Sequence, residues 1–283
     1  MDILQKAKFG DFSVIRTFLN KKLHASVSII ALLDIEEKFK FSRTIYISKD
    51  DPATFIFAKN IIDNWQSFNA FWDTNRVSDS KLKEYLSSVP NWSWKEKFSL
   101  CSADADLALK LDSVIVNGEL SSVTLKRIFS GPYLVQKLTE DKLINRCLPK
   151  GYKYGVLKDY HLHYVFSKWN LGKNYSIENF QRYVKIFPTT AIFKNYDENY
   201  CYPKCWVFLN SHGYIGNIYT EPEYRRKGLA SCALSYHCSK MMQKKLLIMS
   251  QIDEGNEASL EMHKKLGFET VSSVYWIHYD SND

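Results

Sequence analysis

Apolar residues Leu4, Phe12, Ile15 and Leu19 fall near helical spacing, so residues 3–23 read as a helix. The β-branched run at 27–33 then reads as a strand. In 43–48, Ile45 and Ile47 alternate with Thr44, Tyr46 and Ser48, the period of a second strand, and Lys49-Asp50-Asp51-Pro52 is its turn. A short helix over 80–89 stops before Pro90. The Trp-rich piece 90–94 leads into a strand, and a helix follows over 103–116. Around Gly131-Pro132 the pattern fits neither period.

Between Thr139 and Gly151 charge density rises and Pro149 breaks the chain, which predicts a division into residues 1–145 and 146–283. Beyond it, helices are expected over 160–169 and Ile177–Ile186, the second ending at Phe187-Pro188. Strand patterns at 189–193, 204–209 and 213–220 follow, the last two joined through Ser211-His212-Gly213 as a hairpin. A helix running to Gln243, a buried strand over 246–252, a helix opening at Asn256 and a strand over 271–279 complete the pattern. No repeat with a period of 20 to 50 residues is visible in the sequence. Such mixing of strands and helices is that of an α/β (α+β) protein.

Composition adds exclusions. With 45% hydrophobic and 24% charged residues the chain is globular in type. Its net charge of +7 is spread along the whole sequence, which points to a phosphate-bearing small molecule and away from nucleic acid. No apolar stretch approaches the roughly 20 residues that span a bilayer. The N-terminus lacks the features of a secretory signal or a transit peptide, so a soluble, non-secreted protein with no membrane insertion is expected. Six cysteines without a C-x-x-C pair make no disulfide framework and fit a reducing compartment. Cys201 and Cys205 lack a second ligand pair at zinc-site spacing, so no metal is expected, and Cys232 and Cys238 read as small apolar residues packing a helix. Oligomeric state is not legible.

Chemistry concentrates at 218–230, Ile218-Tyr219-Thr220-Glu221-Pro222-Glu223-Tyr224-Arg225-Arg226-Lys227-Gly228-Leu229-Ala230. A strand ends at Pro222 and a basic, Gly-containing loop opens a helix. Such a loop turns unpaired N–H groups toward one point, and the helix dipole adds positive potential, which suits a pyrophosphate. Gly228 lets the backbone approach the ligand closely. Three basic residues alone would be a solvated charge run.

The longer pattern Arg225-x-x-Gly228-x-Ala230 resembles the acyl-CoA loop of the GNAT superfamily. That resemblance implies a GNAT fold, a mixed and mostly antiparallel sheet flanked by helices, over 146–283, preceded by a second α/β domain. It implies that the N–H groups of Arg226, Lys227, Gly228, Leu229 and Ala230 hold the pyrophosphate, with Arg225 or Lys227 toward the 3′-phosphate. The backbone of Ile218, Tyr219 and Thr220 would serve the pantetheine amide and the developing oxyanion. Asn256 and Ser259, ahead of Lys265-Leu266-Gly267-Phe268, resemble the later motif that contacts the pantetheine arm. Asn256 also suits a helix N-cap.

More narrowly, Tyr164-x-x-x-Lys168-Trp169, Cys205-Trp206, Asn210-x-x-Gly213, Glu221-Pro222-Glu223-Tyr224-Arg225 and Asp253-x-x-Asn256-Glu257-Ala258 resemble the glycine N-acyltransferase family. Ile61-Ile62-Asp63-Asn64-Trp65, Phe68-Asn69 and Asn91-Trp92 resemble its N-terminal domain more faintly. Membership implies acyl transfer from acyl-CoA, a co-substrate and not a permanently bound cofactor, to the amino group of glycine or another small amino acid, in mitochondria, with a cytoplasmic home as the alternative. Two departures stand out. Tyr214 follows Gly213 where the family places a glutamate proposed as general base, and a phenol with an ordinary pKa near 10 is a poor base. His263 stands where many GNAT enzymes place a tyrosine that protonates the leaving thiolate. Two further readings therefore stay open: a GNAT N-acetyltransferase for another amine, and a catalytically weak acyl-CoA-binding protein.

Overall fold

In the computed structural model, which describes residues 3–41, 43–62, 65–117, 120, 125–169, 176–195 and 202–281, the chain divides into two units. The first is Met1–Val135 together with Val271–Asp283, and the second is Gln136–Thr270. Compared with the expected division at 145/146, the first unit ends at Val135 and also takes the residues from Val271 onward. Cys201, Asp63 and Asn64 lie outside the described residues.

In the first unit, β1 (Leu4–Lys6) leads through a 3₁₀ turn to α1 (Phe12–Asn20) and α2 (Leu23–Phe39). Next come β2 (Thr44–Ser48), β3 (Phe55–Ile62), β4 (Trp65–Trp72), α3 (Asp79–Ser87), β5 (Phe98–Asp104), α4 (Ala105–Asn117) and β6 (Leu125–Leu138). The sheet order is β1-β2-β3-β4-β5-β12-β6, where β12 is Glu269–Ser281. Pairing is antiparallel from β1 to β4, parallel between β4 and β5, and antiparallel between β5 and β12.

Two expectations fail here. Residues 27–33 form no strand but lie within α2, where every position from Ser26 to Glu36 is buried. A helix enclosed on all sides has no exposed polar face, so residues 27–33 show no 3.6-residue period and the β-branched run imitates a strand. Residues 3–23 are not one helix, because only Phe12, Ile15 and Leu19 make the buried stripe of α1, while Leu4 belongs to a strand. The hairpin β3–β4 carried no expectation either. Phe55, Ile56, Phe57 and Ala58 are all buried, so both faces of β3 are covered and the alternation that marks a half-exposed strand is missing. Rings from β3, β4, β5 and β12 fill the core, Phe57 lying 4.6 Å from Phe68 and Phe98 4.5 Å from Tyr279 between centroids.

The second unit runs β7 (Tyr152–Gly155), α5 (Asp159–Ser167), α6 (Ile177–Ile186), β8 (Thr189–Lys194), β9 (Cys205–Leu209), β10 (Ile215–Thr220), α7 (Leu229–Gln243), β11 (Ile248–Asp253) and α8 (Glu257–Lys264). Its order is β11-β10-β9-β8-β7, antiparallel from β7 to β10 and parallel between β10 and β11. The two units therefore repeat one succession of elements with the same pairing senses, although no repeat is visible in the sequence. Expected elements from 160 onward appear within a few residues of their predicted ends. Local chemistry explains why: Ser176 caps α6 by accepting from the Asn179 N–H, Pro188 stops it, and Asn210 Oδ1 accepts from the His212 and Tyr214 N–H groups to close the hairpin turn. Gly213 takes φ +82° there. Cys232 and Cys238 are buried in α7. Among the described residues no helix is long and apolar enough to cross a membrane.

Candidate active site

The site is built on β10. Its ladder to β9 slips between Gly216 and Tyr219, and Asn217 adopts φ +53°, so the strand carries a bulge. On its other side β10 pairs with β11 at a single register position, Ile215 opposite Ser250. The two parallel strands therefore diverge beyond that point and leave the edge of β10 from Asn217 to Thr220 free of the β11 ladder. In the first unit the equivalent pair, β4 and β5, stays zipped through Gln66↔Phe98, Ser67↔Ser99 and Phe68↔Leu100.

At the open end of β10 the chain makes a 3₁₀ turn at Pro222–Tyr224 and enters the basic loop. Arg226 takes φ +59° and Gly228 φ +76°, so two left-handed residues fold 225–228 into a concave nest at the N-terminus of α7. Among the described residues the N–H groups of Arg226, Lys227, Gly228, Leu229 and Ala230 find no backbone acceptor, while the Cys232 N–H already bonds the Gly228 carbonyl. A Cβ on Gly228 would meet no protein atom within 4 Å, so the space in front of the loop is open. Donors, helix dipole and open space together are features that suit an anion.

The basic side chains divide in their tasks. Arg225 folds back, its Nε donating to the Thr220 carbonyl at 3.0 Å with the guanidinium over the Tyr219 ring. Arg226 and Lys227 are exposed. Lys227 and Lys204 each hold their ammonium over the Tyr224 ring, at 5.1 and 5.5 Å. Lys204 precedes β9 and lies beside the end of β10, its carbonyl accepting from the Glu221 N–H, yet it is too far along the chain to be associated with the loop by spacing.

Behind β10, Tyr219 stacks on Trp206 with centroids 4.6 Å apart. Two residues on, the buried Glu221 accepts a short hydrogen bond from the Tyr164 hydroxyl on α5. Burial and this carboxylate push the Tyr164 phenol well above its usual range. Tyr202 packs against Tyr164 at 4.3 Å and the Lys168 ammonium lies over its ring. Glu221 and Tyr164 belong to the segments that carry the family resemblance, yet their pairing is invisible in sequence because 57 positions separate them.

The remaining candidates lie on α8 and just before β10. Asn256 caps α8, its Oδ1 accepting from the Ser259 N–H at 3.2 Å. His263 is 1% exposed. Its Nδ1 lies 2.8 Å from the Ser259 carbonyl and its Nε2 3.2 Å from Ser250 Oγ. A carbonyl only accepts, so Nδ1 carries the proton, and Nε2 is a lone pair facing the Ser250 hydroxyl. Burial lowers the His263 pKa to about 4, keeping the ring neutral near pH 7. At rest His263 is thus a proton acceptor toward Ser250. Ser250, one residue type among many on a buried strand, gave no sequence signal. Tyr214, directly before Ile215, is 1% exposed and lies at the end of β10 away from the basic loop.

Residues 203–277 match the family model described as FR47-like protein. No curated protein matches the sequence. Among solved structures, a Drosophila protein solved as a structural genomics target superposes with a TM-score of 0.82 at 16% identity, covering 100% of both chains. A tandem GNAT protein from the clavulanic acid biosynthesis pathway gives 0.57 at 10% identity over 99% of each chain. A GCN5-related N-acetyltransferase from Kribbella flavida gives 0.56 at 12% identity, over 90% of this chain and 95% of its own. These full-length superpositions show that the chain has the GNAT fold, with an FR47-like match over residues 203–277.

Proposed function

We propose that this protein transfers an acyl group from an acyl-CoA thioester to the amino group of glycine or another small amino acid, releasing CoA. The observation that carries the reading is the free edge of β10 leading into unpaired N–H groups at the start of α7. The pyrophosphate would sit on the N–H groups of residues 226–230, with Lys204 and Lys227 beside it. The pantetheine arm would pair with the backbone of Ile218, Tyr219 and Thr220, and Asn256 and Ser259 would flank it from α8. From Thr220 back to Ile215 the strand runs about 16 Å, the length scale of an extended pantetheine arm, so the thioester would fall where β10 and β11 meet. Attack there needs a neutral amine, a correctly placed carbonyl and an exit for one proton, and positioning supplies much of the rate.

The FR47-like match and the neighbours named as N-acetyltransferases support the transfer chemistry. The acceptor rests on the resemblance to glycine N-acyltransferases, as does a mitochondrial location. The test is thiol release with acetyl-, butyryl- and benzoyl-CoA against a panel of amines. Glycine or a similar amino acid should be the fastest acceptor. Faster turnover of spermidine or a peptide terminus would make the protein a GNAT N-acetyltransferase of another class. Tight acyl-CoA binding with no turnover would make it the catalytically weak acyl-CoA-binding protein that a buried Tyr214 in the place of a carboxylate allows.

A further inference from the structure

The buried phenol of Tyr214 is no base for the proposed transfer. A different group stands one residue along, across from Ile215. Ser250 is the β11 residue opposite Ile215, so it marks the point at which the cleft closes. Its side chain is buried, and its hydroxyl lies 3.2 Å from His263 Nε2. Because His263 Nδ1–H is committed to the Ser259 carbonyl, the imidazole is held in the tautomer that accepts from Ser250. A hydroxyl whose own proton is given to a nitrogen presents its oxygen lone pairs to whatever approaches. The chain Ser250 hydroxyl, His263 imidazole, Ser259 carbonyl has the connectivity of a proton-accepting relay.

We propose that Ser250 and His263 together carry the proton of the acyl-transfer step, Ser250 touching the reacting groups and His263 acting through it. This rests on the proposed acyl-CoA chemistry. The amine nitrogen forms its bond to the thioester carbon as the carbonyl electron pair moves to oxygen. One N–H proton passes to Ser250 Oγ while the Ser250 hydroxyl proton passes to His263 Nε2. The carbonyl then re-forms, the C–S bond breaks with its electron pair leaving on sulfur, and the Nε2 proton returns through Ser250 to give CoA thiol. Amine and thioester become amide and thiol with no proton left over. A buried imidazole is a weak resting base and, once protonated, a strong acid, so the proton does not remain on it. His263 thereby ends as the source of the thiolate's proton.

Three variants test the relay. Ser250→Ala removes the hydroxyl. His263→Gln leaves a side-chain oxygen that can accept from Ser250 but cannot take up the proton. Ser250→Thr restores a hydroxyl. Acyl-CoA affinity by calorimetry should stay within threefold of wild type in all three. With the best amine, kcat should fall about 10²-fold or more in Ser250→Ala and His263→Gln, with KM for acyl-CoA unchanged, and Ser250→Thr should recover most of it. If kcat in Ser250→Ala and His263→Gln stays within threefold of wild type, the pair only fastens α8 to β11 and the relay is overturned. A wild-type protein that fails to bind acyl-CoA sinks the functional reading itself. One that binds acyl-CoA but acylates no amine removes both the transfer reading and the relay.

Discussion

At the scale of single residues, Gly228 sits in the left-handed region with open space before it, so a side chain there strains the backbone and would fill the position proposed for the pyrophosphate. Gly228→Trp should abolish acetyl-CoA binding by calorimetry while circular dichroism stays native, and unchanged affinity in the folded variant would remove the basis of the cofactor site. Tyr164→Phe leaves a buried Glu221 oxygen without its donor, and urea unfolding should show a loss of about 1–3 kcal/mol. His263 adds a dependence on acidity. Its folded pKa of about 4 lies below the unfolded value near 6.5, so between those values the unfolded chain binds the extra proton and stability falls as pH falls. The effect amounts to at most about 3 kcal/mol. Chemical denaturation of His263→Gln should show a shallower loss between pH 6.5 and 4 than wild type, and an identical slope would mean that His263 is protonated in the fold. The loop residues were legible because Arg225, Gly228 and Ala230 sit within six positions and their work is done by adjacent backbone. Ser250 and Glu221 were not, because their partners are fixed by folding and not by spacing.

Elements were legible where an exposed face left a period or a cap left a marker. α6 has both, Ser176 at its start and Pro188 after its end, and α8 has Asn256. Asn256→Ala should therefore cost about 1 kcal/mol in urea unfolding, whatever it does to acyl-CoA. Where burial is complete the period vanishes: α2 imitated a strand and β3 left no alternation to read. The bulge in β10 is a further case, since nothing in Gly216-Asn217-Ile218 distinguishes a diverging strand from a regular one.

The whole molecule contains one succession of elements twice, and only one copy has its parallel strands apart and a Gly-containing basic loop. In the first unit, β4 leads to α3 through Asp73-Thr74-Asn75-Arg76-Val77-Ser78, which has no glycine and begins with an acid paired to Lys22. Calorimetry should accordingly find one acyl-CoA per chain, and a stoichiometry of two would show that zipped strands can open. The repeat escaped the sequence because it lies in pairing and order, which many residue choices satisfy. Strand β12 adds Val274, Ile277 and Tyr279, all fully buried, to the first unit. At about 1.5–3 kcal/mol each, they rival the whole stability of a domain, about 5–15 kcal/mol. This arrangement has a consequence during synthesis. β5 leaves the ribosome long before Val271 does, and at roughly 5–20 residues per second it waits on the order of 10–30 s for its second neighbour. Throughout that interval the first unit exposes an unfinished sheet edge, so a nascent chain stalled before Val271 should be held by chaperones or digested by added protease, and released chains should resist both.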